Sequence, residues 1–256
     1  MASSERFGYE WDKYHQILPE YEEQFRKWVT PLKPEDFRGK TILDAGCGIG
    51  RNSYWPLRYG AKSVLAFDLD PRTVNVARRN LKQFRNAIVR SGNIYDIPGK
   101  ETFDISHAIG VISHLEDPER AIRQLAKATK QGGKVIIWTL SYEGNEWVRR
   151  FFGPARFVTS WLPLSIVSKI SFFLTIPVFV LVRLRFIKHP YFEQIAKYKF
   201  HHIRSIIFDH LIPKIVRYYR QDKARELLRR SGLRNIKINL VNNNSWTMIG
   251  VKPYAK

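Results

Sequence analysis

The chain has 256 residues, enough for one large domain, or one domain with a long insertion, whose core needs no metal or disulfide staple. One cysteine (Cys47) excludes a disulfide framework or Cys-rich metal cluster, 44% hydrophobic content excludes a disordered chain, and a start without signal-peptide pattern gives the expectation of a cytoplasmic protein. The formal charge is +20, with +5 in residues 1–140 and +15 in residues 141–256, so an anionic partner is expected beside the second half: nucleic acid, anionic lipid or an acidic substrate.

Residues 1–38 are aromatic and mixed in charge, and predict a helical stretch over Tyr9–Val29 ended by Pro31 and Pro34. Short apolar runs then alternate with amphipathic segments. Thr41–Asp44 reads as a buried strand, Arg51–Tyr59 as a helix ended by Gly60, and Ser63–Asp68 as a second strand. Pro71 opens a helix over Arg72–Lys82, with Val74, Ala77 and Leu81 on one face. Ala87–Val89 and Phe103–Ile109 are the third and fourth strands. Pro118–Thr129 is a helix ended by Gly132-Gly133, and Lys134–Thr139 the fifth strand. Strand and helix alternate at βαβ spacing, which predicts a parallel sheet covered on both faces. At the end of the chain a helix over Asp222–Ser231 meets Gly232. Strands Ile236–Val241 and Ser245–Val251 follow, joined by Asn242-Asn243-Asn244 as an antiparallel hairpin.

Residues 141–221 do not share this alternation. They contain a strongly apolar stretch, Phe157–Ile187, with an uncharged run of 13 residues over Ile170–Val182. A spanning helix needs about 20 residues, so a crossing is not expected. Arg149, Arg150, Arg156 and Lys169 precede the run, and Arg183, Arg185 and Lys188 follow it. Two compatible readings stay open: a segment over 149–188 lying in an anionic membrane interface, and a helical cap over a greasy pocket. The organisation expected is an N-terminal helical lid (1–38), a core (39–140 and 222–256), and a basic, apolar helical insertion (141–221).

The chemistry concentrates at Asp44-Ala45-Gly46-Cys47-Gly48-Ile49-Gly50, between the first strand and the first βαβ helix. A glycine-rich turn there admits a ligand to the backbone, and the helix N-terminus offers free N–H groups. The spacing is G-x-G-x-G, not the G-x-G-x-x-G of dinucleotide sites. Asp68 ends the second strand 18 residues beyond Gly50, where a carboxylate accepts hydrogen bonds from both hydroxyls of a ribose. No P-loop lysine is present.

These residues resemble the class I S-adenosylmethionine-dependent methyltransferases, over Thr41–Leu140 and again over Asp222–Pro253. Leu43–Asn52 is similar to the family's first motif, Phe67-Asp68-Leu69-Asp70 to its acidic second-strand motif, and Gly92–Pro98 to its third. Gly110–Pro118 is similar to the motif after the fourth strand in the small-molecule and quinone branches. The resemblance implies a Rossmann-like α/β fold with seven strands, the last antiparallel, and helices on both faces. It also implies S-adenosylmethionine as cofactor and no metal. Asp44, Gly46, Gly48 and Gly50 would then cradle the methionine end, with Cys47 a small residue of the same turn. Asp68 and Leu69 would meet the ribose, Asn93, Ile94 and Asp96 the adenine, and Ile109 would pack beside the cofactor. His114, on the loop facing the methyl end, is the first candidate base, with Tyr14 and His15 of the lid as secondary candidates.

The expected reaction is O- or C-methylation of a small, lipophilic or membrane-associated acceptor, at the inner face of a membrane. Because the sulfonium is already activated, the protein's main task would be holding the acceptor in line. A nucleic-acid (RNA) acceptor stays open on the charge, although no RNA-binding module or Asn-Pro-Pro-Tyr-type motif occurs. A catalytically silent cofactor-binding module has the least support, since the motif set is intact.

Overall fold

The computed structural model describes residues 2–184 and 190–255. Two helices, α1 (Ala2–Lys13) and α2 (Tyr21–Trp28), precede β1 (Thr41–Ala45). The alternating unit continues with α3 (Arg51–Arg58), β2 (Ser63–Asp68), α4 (Pro71–Leu81), β3 (Ala87–Ser91), β4 (Phe103–Ile109), α5 (Pro118–Ala128) and β5 (Thr129–Leu140). Four helices follow: α6 (Glu146–Thr159), α7 (Leu164–Arg183), α8 (Pro190–Ile195) and α9 (Phe200–Leu211). The chain closes with α10 (Gln221–Arg230), β6 (Arg234–Val241) and β7 (Ser245–Val251).

The seven strands form one sheet in the order β3-β2-β1-β4-β5-β7-β6. β1 to β5 pair in parallel, and β7 enters between β5 and β6, antiparallel to both. This is the Rossmann-like α/β architecture expected. Its order reverses between β1 and β4, so the crevice at the carboxyl ends of those strands is where such sheets bind ligands.

Period-two alternation sorts the core. Ile42, Val64, Ala66, Ile105 and Ile136 face one side with Phe25, Trp55, Ala77 and Leu81 of α2, α3 and α4. Leu43, Ala45, Phe67, Ala108 and Ile137 face the other, against Ile122 and Leu125 of α5 and Leu228 of α10. A third cluster belongs to the insertion: Val167, Val182, Ile203, Ile207 and Phe208 gather around Tyr14 from the N-terminal segment.

Three elements differ from the sequence reading. The single N-terminal helix over Tyr9–Val29 is two, because Pro19 cannot continue the hydrogen-bond ladder and residues 14–20 form the break between α1 and α2. Gly132 and Gly133 do not end a helix but lie inside β5. A Cβ on Gly133 would sit 2.9 Å from the Asp104 carbonyl of β4, so glycine there permits close backbone approach where the β4–β5 register shifts. The 13-residue uncharged run lies within a 20-residue helix, α7, because Lys169 does not interrupt it. By length and composition α7 meets the requirement for crossing a membrane. Asn242 and Asn243 take left-handed φ values of 51° and 56°, as the hairpin turn requires. Of the flanking cations, Arg185 and Lys188 lie outside the described residues.

Candidate functional site

Four loops meet at the carboxyl edge of the sheet, joined by backbone hydrogen bonds. Gly46 and Cys47 N–H groups both donate to the Phe67 carbonyl at 2.9 Å, and Gly92 N–H donates to the Asp68 carbonyl at 3.0 Å. These bonds tie the turn after β1 to the ends of β2 and β3. From the fourth loop, Val111 packs so closely on Gly46 that a Cβ there would lie 2.5 Å from its Cγ2. Gly46, Gly48 and Gly50 all have left-handed φ, at 77°, 54° and 85°. The turn is therefore restricted to glycine by conformation, and at Gly46 by space as well.

Asp68 closes the turn from the side. Its Oδ2 accepts from Gly48 N–H at 3.0 Å and its Oδ1 from Asp70 N–H at 3.2 Å. Burial pushes its pKa up, opposed by these backbone donors. A carboxylate offers about four lone-pair sites, and with the backbone donors Gly48, Asp70 and Leu69 acting on it Asp68 keeps capacity to accept from a hydroxyl. Leu69 lies exposed beside it. On the segment after β3, Ile94 and Ile97 are buried. Asn93 holds the bend between them, its Oδ1 accepting from Tyr95 N–H and its carbonyl from Asp96 N–H, both at 3.0 Å; its own side chain and that of Asp96 are exposed. Ile109 is buried at the end of β4.

Asp44 lies beneath the turn and is fully buried. Its Oδ2 accepts from Ser53 Oγ at 2.6 Å, and its Oδ1 is 3.6 Å from Nε2 of His107, its register partner on β4. Burial lowers the His107 pKa, which keeps that ring neutral. Cys47 is buried, with a thiol pKa pushed well up by desolvation and by the Asp44 and Asp68 carboxylates, so it stays protonated and is no nucleophile.

α1 crosses over this edge. A Cβ on Gly8 would fall 2.0 Å from an Asp70 carboxylate oxygen, and one on Gly48 would touch the Trp11 indole at 3.5 Å. Arg72 donates to the Glu5 carbonyl at 2.8 Å. On its other side α1 is fastened to the insertion: the Arg6 guanidinium donates to the carbonyls of Thr159, Leu162 and Ile212 at 2.8, 3.1 and 2.8 Å.

The candidate bases are spread apart. His114 Nδ1 is 2.9 Å from the Ile215 carbonyl; since a carbonyl only accepts, Nδ1 carries the proton and Nε2 the lone pair. Burial pushes its pKa down to about 4, so at neutral pH it is in the proton-accepting form. Its ring packs on Phe7 of α1, with centroids 4.9 Å apart. Tyr14 points instead into the insertion, against His201 and Phe208. Its buried hydroxyl makes no hydrogen bond among the described residues, and desolvation raises its pKa to about 12, so it donates rather than accepts a proton. His15 is exposed, its ring nitrogen on the Asp12 carbonyl and its own carbonyl on Asn80. Among the described residues no hydrogen bond or ring contact joins His114 to either.

Sequence reasoning missed a charged cluster. The Arg51 guanidinium sits 5.4, 5.0 and 5.1 Å from the ring centres of Trp11, Tyr21 and Trp28. It acts electrostatically on three carboxyls, Glu10 of α1, Asp209 of α9 and Asp44 at the end of β1. Glu10 is 1% exposed, with one carboxyl oxygen unpartnered, and burial lifts its pKa well up; Asp209 is pushed up to about 6 by desolvation. Arg156 lies near His114, Asp209 and His210, with its Nε on the His210 carbonyl at 3.0 Å. One sequence signal was available: Arg51 opens α3, where a cation opposes the helix dipole and so needs another reason to be there.

Residues 43–137 match the family model described as a methyltransferase domain. Among curated relatives, a tRNA U34 carboxymethyltransferase of Campylobacter hominis is 32% identical over 123 residues, 45% of this chain and 41% of that one. A ubiquinone biosynthesis O-methyltransferase of Xanthomonas oryzae pv. oryzae is 36% identical over 109 residues, 41% of this chain and 45% of that one. The chain thus spans less than half the length of these relatives. Among solved structures, the magnesium protoporphyrin IX methyltransferase of Synechocystis PCC 6803, with bound SAH, shares the fold over 95% of this chain and 93% of its own. The TM-score is 0.57 and the identity 14%.

Proposed function

We propose, from the premise that residues 43–137 are a class I S-adenosylmethionine-dependent methyltransferase domain, that the whole chain transfers a methyl group to a small, lipophilic acceptor. The observation carrying this reading is the joined unit of glycine turn and acidic strand end, Gly48 N–H on Asp68 at 3.0 Å, covered by Trp11 of α1. This cradle fits the cofactor: a turn open only to glycine, a carboxylate with acceptor capacity for the ribose, and an apolar wall from Ile94.

In this reading Gly46, Cys47, Gly48 and Gly50 hold the methionine end through their backbone, and Asp44 supports that turn from below. Asp68 and Leu69 meet the ribose, Asn93, Ile94 and Asp96 the adenine, and Ile109 packs alongside. When bound, the cofactor supplies an activated methyl on its sulfonium. The chain's own residues then orient the acceptor and exclude water, with Trp11 and Phe7 of α1 closing the edge. For a hydroxyl acceptor, His114 Nε2 takes the proton, since its ring is neutral at pH 7 and its other nitrogen is fixed by Ile215. Tyr14 serves as a donor only, and His15 stays exposed to solvent. The apolar insertion delivers the acceptor, in line with the quinone-pathway relative, and places the protein at a membrane surface.

A tRNA acceptor is the second reading, favoured by the tRNA-modifying relative and the +15 charge of residues 141–256. It predicts retention on tRNA with a steep salt slope.

Calorimetric titration with S-adenosylmethionine tests the cofactor assignment. Asp68→Ala should weaken binding by about 10- to 100-fold, the equivalent of about 1.5–3 kcal/mol for hydrogen bonds to a charged group. Unchanged affinity would remove Asp68 from the site.

A further inference from the structure

α7 is apolar on more than the side it buries. Its buried residues are Val167, Ser168, Ser171, Thr175 and Val182, and Leu164, Ile170, Val178 and Phe179 pack partly buried against the same core. Two of the three buried hydroxyls are satisfied within the helix: Ser171 Oγ donates to the Ser168 carbonyl at 2.8 Å and Thr175 Oγ1 to the Ser171 carbonyl at 2.5 Å. The opposite side carries Ile166, Phe173, Ile176, Val180 and Leu181, each between 44% and 68% exposed. A helix at a water-facing surface carries charged and polar residues on that side.

Exposed aromatic side chains also stand on α6 and on its short link to α7. Phe157 is 80% exposed, Trp161 75% and Trp147 71%. Tryptophan favours the boundary between hydrocarbon and headgroups. Around this face lie the exposed cations Arg150, Lys169, Arg183 and Lys214, the last with its Nζ 4.4 Å from the Trp161 ring centre. No Asp or Glu occurs between Glu146 and Glu193. The charge is therefore complementary to lipid phosphate and nowhere opposed by this segment's own carboxylates.

α7 is also fastened along its length. Ser168 accepts from Lys13 of α1 and, through both its carbonyl and its hydroxyl, from Arg204 of α9. At the far end Arg183 donates to the Tyr198 carbonyl at 3.1 Å. A helix held against the domain at both ends has one free side, and that side fits a single leaflet rather than a crossing.

We infer that the α6–α7 face docks on an anionic lipid surface, with α7 lying in the plane of the interface, its large apolar side chains in the acyl region and its cations at the phosphates. The inference deepens the proposed lipophilic acceptor by naming where the protein meets it, but docking stands on α6 and α7 alone.

Sedimentation with preformed phosphatidylcholine vesicles containing 30% phosphatidylglycerol, about the anionic content that gives a strongly negative surface, tests it. The full chain should bind these vesicles, bind pure phosphatidylcholine at least about tenfold less, and lose affinity as salt rises. The double variant Phe157→Ser/Trp161→Ser should lower binding about tenfold or more, because two exposed aromatic anchors are removed. Should that variant fold poorly, Arg150→Glu/Lys169→Glu gives the same reading through charge. Both variants should bind S-adenosylmethionine as the parent does. No vesicle binding, or binding indifferent to all four substitutions, would overturn the inference. So would a lipid-free dimer that the double variant dissociates, which would assign the face to a second copy. Loss of cofactor binding with docking intact would instead count against the proposed function alone.

Discussion

At the residue scale, the glycine turn and the buried histidines make separate demands. Gly46 combines a φ of 77° with a Cβ position 2.5 Å from Val111. Gly46→Ala should therefore force Val111 and the loop after β4 outward, lowering cofactor affinity by about tenfold or more, with a loss of about 1–3 kcal/mol in stability from strain and overpacking; titration and thermal melting read the two effects. His202 is 5% exposed and stacked on Tyr198 at 3.8 Å, and burial with Arg51 nearby lowers its pKa to about 3. The unfolded chain takes up this proton near the ordinary histidine value of about 6.5, while the folded chain refuses it. Its contribution to stability is thus complete above about pH 6.5 and is lost as pH falls toward 3, with a slope of at most about 1.4 kcal/mol per pH unit. His202→Phe should flatten the fall in Tm between pH 7 and pH 4; an identical fall in the variant would mean that another group carries it.

At the scale of elements, the alternating core and the closing helix and hairpin were legible, and the course of the N-terminal segment and of the insertion was not. Local pattern was enough for β1, β2 and β4, because their apolar runs are bounded by turn residues and buried on both faces. Pattern did not place α1 over the cofactor edge, since Gly8 on Asp70 and Arg6 on three carbonyls are contacts between residues far apart in sequence. The exposed apolar side of α7 was equally hidden: an apolar stretch states that a helix is greasy but not which side the protein covers. The same contacts give α1 a measurable role. Arg6→Gln should release it from the insertion, speeding hydrogen exchange over residues 5–13 while the sheet remains protected, and costing about 2 kcal/mol for hydrogen bonds made by a charged donor. Uniform exchange across the molecule, or none beyond the parent's, would show that α1 is held by its core contacts instead.

At the scale of the whole molecule, three bodies of sequence converge on one edge of the sheet. The core supplies the glycine turn and Asp68, the N-terminal segment crosses over them, and the segment after α9 meets the loop after β4 at His114–Ile215 and Ser113–Arg217. The candidate site was legible where chemistry is local, at Asp44–Gly50 and Phe67–Asp70, where neighbouring residues fix the backbone. It was not legible where charge is gathered from distant elements: Glu10, Arg51, Arg156 and Asp209 come from α1, α3, α6 and α9, and only the cation at the start of α3 gave notice. In the proposed function these parts serve methyl transfer to a lipophilic acceptor. The most direct test is incubation with methyl-labelled S-adenosylmethionine and a total lipid extract, followed by partition between organic solvent and water. Label should enter the organic phase, and should be absent with Asp68→Ala. Label that stays in water, or an organic product formed equally by that variant, would contradict this function.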